Sequence, residues 1–170
     1  RTNFFDAYDN IAFDSMTTFS DIVMDRIMFL NGRFGKWPEQ ADWTATMNTI
    51  TNVMRTLTSI PNKTIYVTAH IEFKQEEATS KMINQLSLIG RLRNKLPLMF
   101  SQVWQFSADQ DAKKQVRYQI QTAQDRYSPY LRCTLKNLKV TEDVTVEDWR
   151  SPTKYGVGKL LQQTTKGETK

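Results

Sequence analysis

The sequence predicts an α/β fold in which parallel strands alternate with helices and an antiparallel set of strands extends the sheet. Two features support this. Asn10 to Ser15 and Thr64 to His70 are short runs apolar on both faces, and two helically spaced stretches lie between them, as in a crossover joining parallel strands. Met99 to Phe106, Gln115 to Thr122 and Tyr130 to Leu135 are strand-like runs separated by turn formers, the pattern of an antiparallel sheet. A chain of 170 residues suits one such domain burying roughly two-thirds of its unfolded surface.

The elements follow in order. Asp9-Asn10 is a turn signal ahead of the first strand, which ends in Asp14 and Ser15. Phe19, Ile22, Val23, Ile27 and Leu30 then recur at helical spacing, with Thr18 as a cap and Asn31-Gly32 as a stop. A Gly-rich connector leads to a second helix whose stripe is Trp43, Met47, Ile50, Val53, Met54 and Leu57. Pro38 suits its first turn, and Pro61-Asn62 ends it. The β-branched run Thr64 to His70 is the second parallel strand. Residues 71 to 97 are mostly polar with broken periodicity, so a mobile loop and a short helix at Met82 to Ile89 are expected. Asp109-Gln-Asp and Asp125 to Pro129 are turns between the antiparallel strands. From 141 the composition is that of a polar, flexible tail, which sets the domain at 1–140 and the tail at 141–170.

Several chemistries are excluded. Cys133 is the only cysteine and His70 the only histidine, so one chain forms no internal disulfide, Cys/His zinc site or multi-histidine centre. Cys133 lies in a strand-like run and reads as a small buried thiol in a reducing, intracellular, cytoplasmic setting. No apolar run approaches the roughly 20 residues of a membrane span, and the first residues lack the apolar middle of a signal peptide. The charge is asymmetric. Residues 1–90 carry 8 Lys/Arg against 10 Asp/Glu, and residues 91–170 carry 15 against 8. A basic second half points to a polyanion partner, or to a solvated basic surface.

Asp14 and His70 are the residues with chemistry to offer. An aspartate at the carboxyl end of a buried strand can hold the water shell of a Mg²⁺ ion bound to nucleotide phosphates; the plainer alternative is a cap on the following helix. His70 ends the next strand and can reach the same crevice to meet a terminal phosphate or an attacking water, or serve a structural role.

The pattern Tyr8-Asp-Asn-Ile-Ala-Phe-Asp14-Ser15-Met-Thr-Thr-Phe-Ser-Asp21, then Asp42-Trp43, Ile60-Pro61, Ile65-Tyr-Val-Thr-Ala-His70 and Lys95-Leu-Pro97, resembles phage nucleotide-binding ATPases with a RecA-like fold. These are related to the single-strand annealing and recombinase proteins of phages. The resemblance covers about residues 5 to 140. It implies an incomplete RecA-like three-layer core of parallel strands with an antiparallel carboxyl-terminal extension, and ATP and Mg²⁺ as cofactors. Asp14 would be the Walker B aspartate holding the metal through water, with Ser15 supporting it, and His70 the sensor of the γ-phosphate. The following segment would contact single-stranded DNA through Lys74, Lys81, Arg91, Arg93 and Lys95, with Phe73 as a stacking face. Arg91 and Arg93 would also be candidates for a finger reaching the nucleotide of a neighbouring copy in a ring or filament.

The chain departs from that pattern in having no Gly-x-x-x-x-Gly-Lys-Ser/Thr loop. Thr153 to Leu160 lacks the first glycine and the hydroxyl residue and follows no strand. The expectation is therefore the carboxyl-terminal part of an ATP-hydrolysing DNA recombination protein whose phosphate loop lies upstream of Arg1. The alternatives are a non-catalytic nucleic-acid-binding or assembly module, and a helicase or DNA-packaging motor subunit.

Overall fold

The computed structural model describes residues 4–76 and 79–165, and the chain divides into two units, residues 1–99 and 100–170. In the first, Asn10–Phe13 (β1) and Thr64–Val67 (β2) run parallel, Asn10 opposite Thr64 and Phe13 opposite Val67. The crossover between them is the expected pair of helices, Met16–Leu30 (α1) and Gln40–Thr58 (α2).

Local chemistry sets the helix ends. Ser15, rather than Thr18, caps α1, its hydroxyl accepting the Thr18 N–H at 3.4 Å. Asn31 closes the helix and Gly32 follows at φ +65°, a left-handed turn that glycine adopts without a Cβ penalty. Helix α2 begins behind a capping box of Glu39 and Asp42, so Pro38 stands before the helix rather than in its first turn. The buried faces are Val23, Met24 and Met28 of α1 and Thr46, Ile50 and Met54 of α2, with the Thr46 hydroxyl 3.5 Å from the Met24 sulfur. Ile50 and Met54 are wholly buried, each stabilising the fold by about 1.5–3 kcal/mol.

The α1–α2 connector is fastened by a buried carboxylate. Asp42 is 0% exposed; its Oδ2 accepts from Arg33 Nε at 3.0 Å and the Glu39 N–H at 2.9 Å, and its Oδ1 accepts from Asn31 Nδ2 at 2.8 Å and from Arg33 Nη2. The Arg33 hydrogen bonds, helped by those from Glu39 and Asn31, hold this carboxyl far below the usual range despite its burial.

Residues 71–97 differ from expectation. Ile71–Gln75 (β3) and Met82–Leu86 (β4) form an antiparallel hairpin, followed by a short helix, Leu92–Lys95 (α3), and a 3₁₀ turn at Leu96–Met99. The helix expected at Met82 to Ile89 is instead a strand, paired along its whole length with Ile71–Gln75; Ile71, Phe73, Met82 and Leu86 share one face by register with Gln75 and Asn84 between them. The turn carries no glycine or proline, and Ser80 supplies the left-handed residue at φ +56°. Leu88, Leu92 and Leu96 are buried behind it.

The second unit has its own antiparallel sheet of Gln105–Gln110 (β5), Val116–Gln121 (β6) and Thr141–Asp143 (β7). It is not an extension of the β1–β2 pair. The strand expected from Met99 starts only at Gln105, and the one expected at Tyr130 to Leu135 reduces to a single bridge between Arg132 and Val103. Cys133 is half-buried in that segment. The first turn lies at 111–114, beyond the expected Asp109, because the Asp111 carboxylate accepts the Lys113 and Gln115 N–H groups at 2.8 and 2.9 Å. The polar tail expected from 141 is instead β7, a 3₁₀ turn at Pro152–Lys154 and Gly156–Thr165 (α4). Val144 and Leu160 from this stretch form a core with Ile120, against which Trp104, Leu138 and Val157 pack. Val157, Leu160 and Leu161 stand at helical spacing in α4, a short apolar period that the surrounding Thr, Lys, Gly and Gln residues mask in the composition. The last five residues of the expected tail lie outside the described ones.

The result is a mixed α/β architecture with one parallel pair and antiparallel sheets, consistent with an α/β nucleotide-binding fold. Two parallel strands, not the several of a full three-layer core, lie among the described residues.

Candidate functional site

Parallel strands deliver their carboxyl ends to one edge, and the loops leaving them converge there. The pairing of β1 and β2 continues one step past both strands: the Phe13 carbonyl accepts the Thr68 N–H at 3.0 Å, and the Thr68 carbonyl accepts the Met16 N–H at 2.8 Å. These bonds set two side chains against each other, so that Thr68 Oγ1 donates to Asp14 Oδ1. Two residues further on, the Thr17 hydroxyl accepts the His70 N–H at 3.0 Å, and the His70 carbonyl accepts the Ser87 N–H at 2.9 Å. The backbone of His70 is therefore held from both sides while the residue is exposed. Asp14 and His70 do leave the same edge, as expected from the sequence.

Asp14 is exposed and makes no ion pair among the described residues. With one neutral donor upon it, its carboxylate keeps most of its acceptor positions. No group of three or more His, Cys, Asp or Glu side chains able to hold a metal ion occurs among the described residues. A lone carboxylate of this kind fits a hydrated Mg²⁺ whose other ligands are waters and nucleotide phosphates, the arrangement that this small, reluctantly dehydrated cation favours. Ser15 is occupied elsewhere, as the α1 cap. Its hydroxyl sits on the Thr18 N–H and 3.3 Å from the Thr18 hydroxyl.

The expected cations fall in three places rather than one cluster. Lys74 pairs with Glu72 at 2.9 Å, and Arg93 donates to the Gly90 carbonyl at 3.0 Å and to Gln85 at 3.2 Å. Both line a groove of about 330 Å³ together with Thr17, Asp21 and Trp43. Phe73 sits on the opposite face of the hairpin from Lys74 by register, which separates the expected stacking face from that phosphate contact. Lys81 closes the hairpin turn, while Arg91 and Lys95 are exposed at the two ends of α3.

Thr68 and Thr17 carry no signal of this role in the sequence. A threonine in a β-branched run reads as a strand former, and nothing local shows that its hydroxyl meets a carboxylate 54 residues away.

A family model described as an AAA domain matches residues 3–129, about three quarters of the chain. The chain belongs to this family of P-loop ATPases. The matched stretch includes β1, both crossover helices, β2, Asp14 and His70, so the edge described above lies within the AAA domain. Membership carries with it nucleotide binding and ATPase chemistry as the activity class. No curated protein and no solved structure gives a significant match. Among the described residues, no helix is long and apolar enough to cross a membrane.

Proposed function

We propose that this AAA domain serves a phage DNA recombination protein in which ATP·Mg²⁺ meets the β1–β2 edge and single-stranded DNA meets the segment after His70. One observation carries the reading: an exposed aspartate without an ion pair among the described residues is oriented by Thr68, and the loop that positions it also positions the only histidine. Asp14 takes the water shell of the metal. His70, its backbone fixed by Thr17 and Ser87, places a hydrogen-bonding ring where a terminal phosphate or an attacking water would sit, and passes the state of that phosphate into the β3–β4 hairpin that starts at the next residue.

The cations Lys74, Lys81, Arg91, Arg93 and Lys95 supply phosphate contacts to the strand, and Arg91, exposed on α3, is the better candidate for a finger toward a neighbouring copy in a ring or filament. Arg93, already bound to Gly90 and Gln85, presents its guanidinium to the strand from a fixed position in the groove.

The test is ATP turnover by the complete protein with Mg²⁺. Asp14→Ala is expected to lower it by about a hundredfold or more, with nucleotide binding becoming insensitive to Mg²⁺. Undiminished turnover in that variant overturns the assignment.

A further inference from the structure

The β5–β6 hairpin divides its side chains cleanly. By register, Gln105, Ser107, Asp109, Arg117, Gln119 and Gln121 occupy one face, and all are polar. The other face holds Phe106 opposite Ile120, Ala108 opposite Tyr118, and Gln110 opposite Val116. Ile120 is wholly buried in the core of this unit, yet on the same face Phe106 is 57% exposed, Tyr118 51% and Val116 48%. The hairpin thus runs out past the core with an apolar face exposed.

Charge decides what suits that face. Its outer end is the turn 111–114, where Lys113 and Lys114 are exposed and form no ion pair among the described residues. The neighbouring carboxylates are engaged elsewhere. Asp111 accepts the turn N–H groups and the Arg117 guanidinium at 3.4 Å, and Asp109 lies on the polar face. Glu142, beside Ile120, accepts the Lys139 N–H at 2.7 Å. Glu142 shares the inner rung with Phe106 across Ile120, while the face from Tyr118 to the turn is free of acids and ended by two cations, within a half of the chain carrying 15 Lys/Arg against 8 Asp/Glu.

We propose that this face of the β5–β6 hairpin is a stacking platform for single-stranded nucleic acid. Phe106 and Tyr118 each take the face of one base, Ala108 leaves the space between them, and Lys113 and Lys114 hold the backbone phosphates. The rings occupy diagonal positions of the ladder, roughly 7–8 Å apart along the backbone, so each serves a separate unstacked base. A second copy of this chain is the poorer occupant, because two lysines need an anionic partner and the one carboxylate on this face, Glu142, lies on the inner rung and already accepts the Lys139 N–H. The proposal rests on the reading of the protein as a binder of single-stranded DNA and adds to it a contact in residues 100–170.

The experiment measures binding of fluorescein-labelled oligothymidylate to the full chain by anisotropy, across a salt series. Phe106→Ala with Tyr118→Ala is expected to weaken binding by roughly tenfold per ring with an unchanged circular dichroism spectrum, since both rings are more than half exposed. Lys113→Gln with Lys114→Gln is expected to flatten the slope of log affinity against log salt by about 1.4. An oligonucleotide carrying 5-iododeoxyuridine should photocross-link to Phe106 or Tyr118. Unchanged affinity in the aromatic variant overturns the platform; if Lys74→Gln with Lys81→Gln then weakens binding, the DNA reading itself stands. No binding by the unaltered chain overturns both. Loss of self-association in the aromatic variant, with DNA affinity intact, would assign the face to a second copy and overturn the platform.

Discussion

Thr68 donates its hydroxyl proton to the Asp14 carboxylate, joining the ends of two parallel strands through side chains as well as backbone. The bond engages Oδ1 and leaves Oδ2 open, the oxygen that the proposed reading turns toward a metal-bound water. Thr68→Val keeps the shape and the main-chain bonds to Phe13 and Met16 but removes the donor. The expected outcome is an apparent Mg²⁺ requirement for ATP turnover raised by about tenfold, the usual scale for losing a partner that orients a metal-holding group. Thr68→Ser should restore it. The measurement is a Mg²⁺ titration of turnover; a midpoint that does not move would show that Thr68 serves the strand alone.

Thr17 does for His70 what Thr68 does for Asp14, but through the backbone: its hydroxyl accepts the His70 N–H at 3.0 Å. Two variants separate ring from loop. His70→Gln keeps a hydrogen-bonding group and is expected to retain more turnover than His70→Ala, which should lose about a hundredfold, as when one donor to a reacting oxygen is deleted. Thr17→Val leaves the ring in place and releases the loop, so it should act mainly on kcat with KM for ATP little changed. Equal turnover in His70→Ala and the unaltered protein would remove His70 from the chemistry.

Ser15 offers a clean separation of cap from catalyst. Its hydroxyl accepts the Thr18 N–H, and an aspartate can do the same at the amino-terminal end of a helix. Ser15→Ala is expected to lower stability by about 1 kcal/mol, and Ser15→Asp to recover it in thermal unfolding. If Ser15 only caps, both variants keep their ATP turnover once folded. Loss of turnover in Ser15→Ala at full folding would return a direct role to this hydroxyl.

The parts that were legible in the sequence are those whose signal is local. The crossover could be read because Ile11 and Phe13, the α2 stripe, and Ile65 to Val67 each declare their period within a few residues; of the expected α1 stripe only Val23 is buried, since Ile22 and Leu30 are exposed and Met24 and Met28 face the core instead. The β3–β4 hairpin was hidden because its turn has none of the usual glycine or proline, leaving Ser80 to adopt the left-handed conformation. The elements after residue 140 were hidden because the polar composition outweighs a short apolar pattern, and because attachment to the core depends on Val144 and Leu160 meeting Ile120, far away in sequence. The site shows the same division. Asp14 and His70 could be found from strand ends, whereas Thr68 and Thr17 act through partners more than 50 residues away, a relationship that only the fold creates.

Asp42 was visible as part of the second helix, but its charge was not visibly tied to Arg33. That pairing predicts a pH dependence. Arg33, Glu39 and Asn31 all donate to the buried carboxylate, which holds its pKa in the folded protein well below the unfolded value of about 3.9. A group depressed in this way contributes stability that is complete above the unfolded pKa and is lost as pH falls toward the folded one. Glu39 lies 3.5 Å from the same guanidinium but is largely exposed, so that ion pair is a weak one. Asp42→Asn should therefore unfold at a temperature lower by roughly ten degrees or more at neutral pH, because Arg33 is left beside a neutral amide. The gap between the two proteins should narrow as pH is lowered through the acid range, since the unaltered protein loses its advantage while Asp42→Asn has no proton to take up there. Thermal unfolding followed by far-ultraviolet circular dichroism at a series of pH values measures both curves. A gap that stays constant down to acid pH would mean that the Arg33 clasp draws its stability from packing and not from the Asp42 charge.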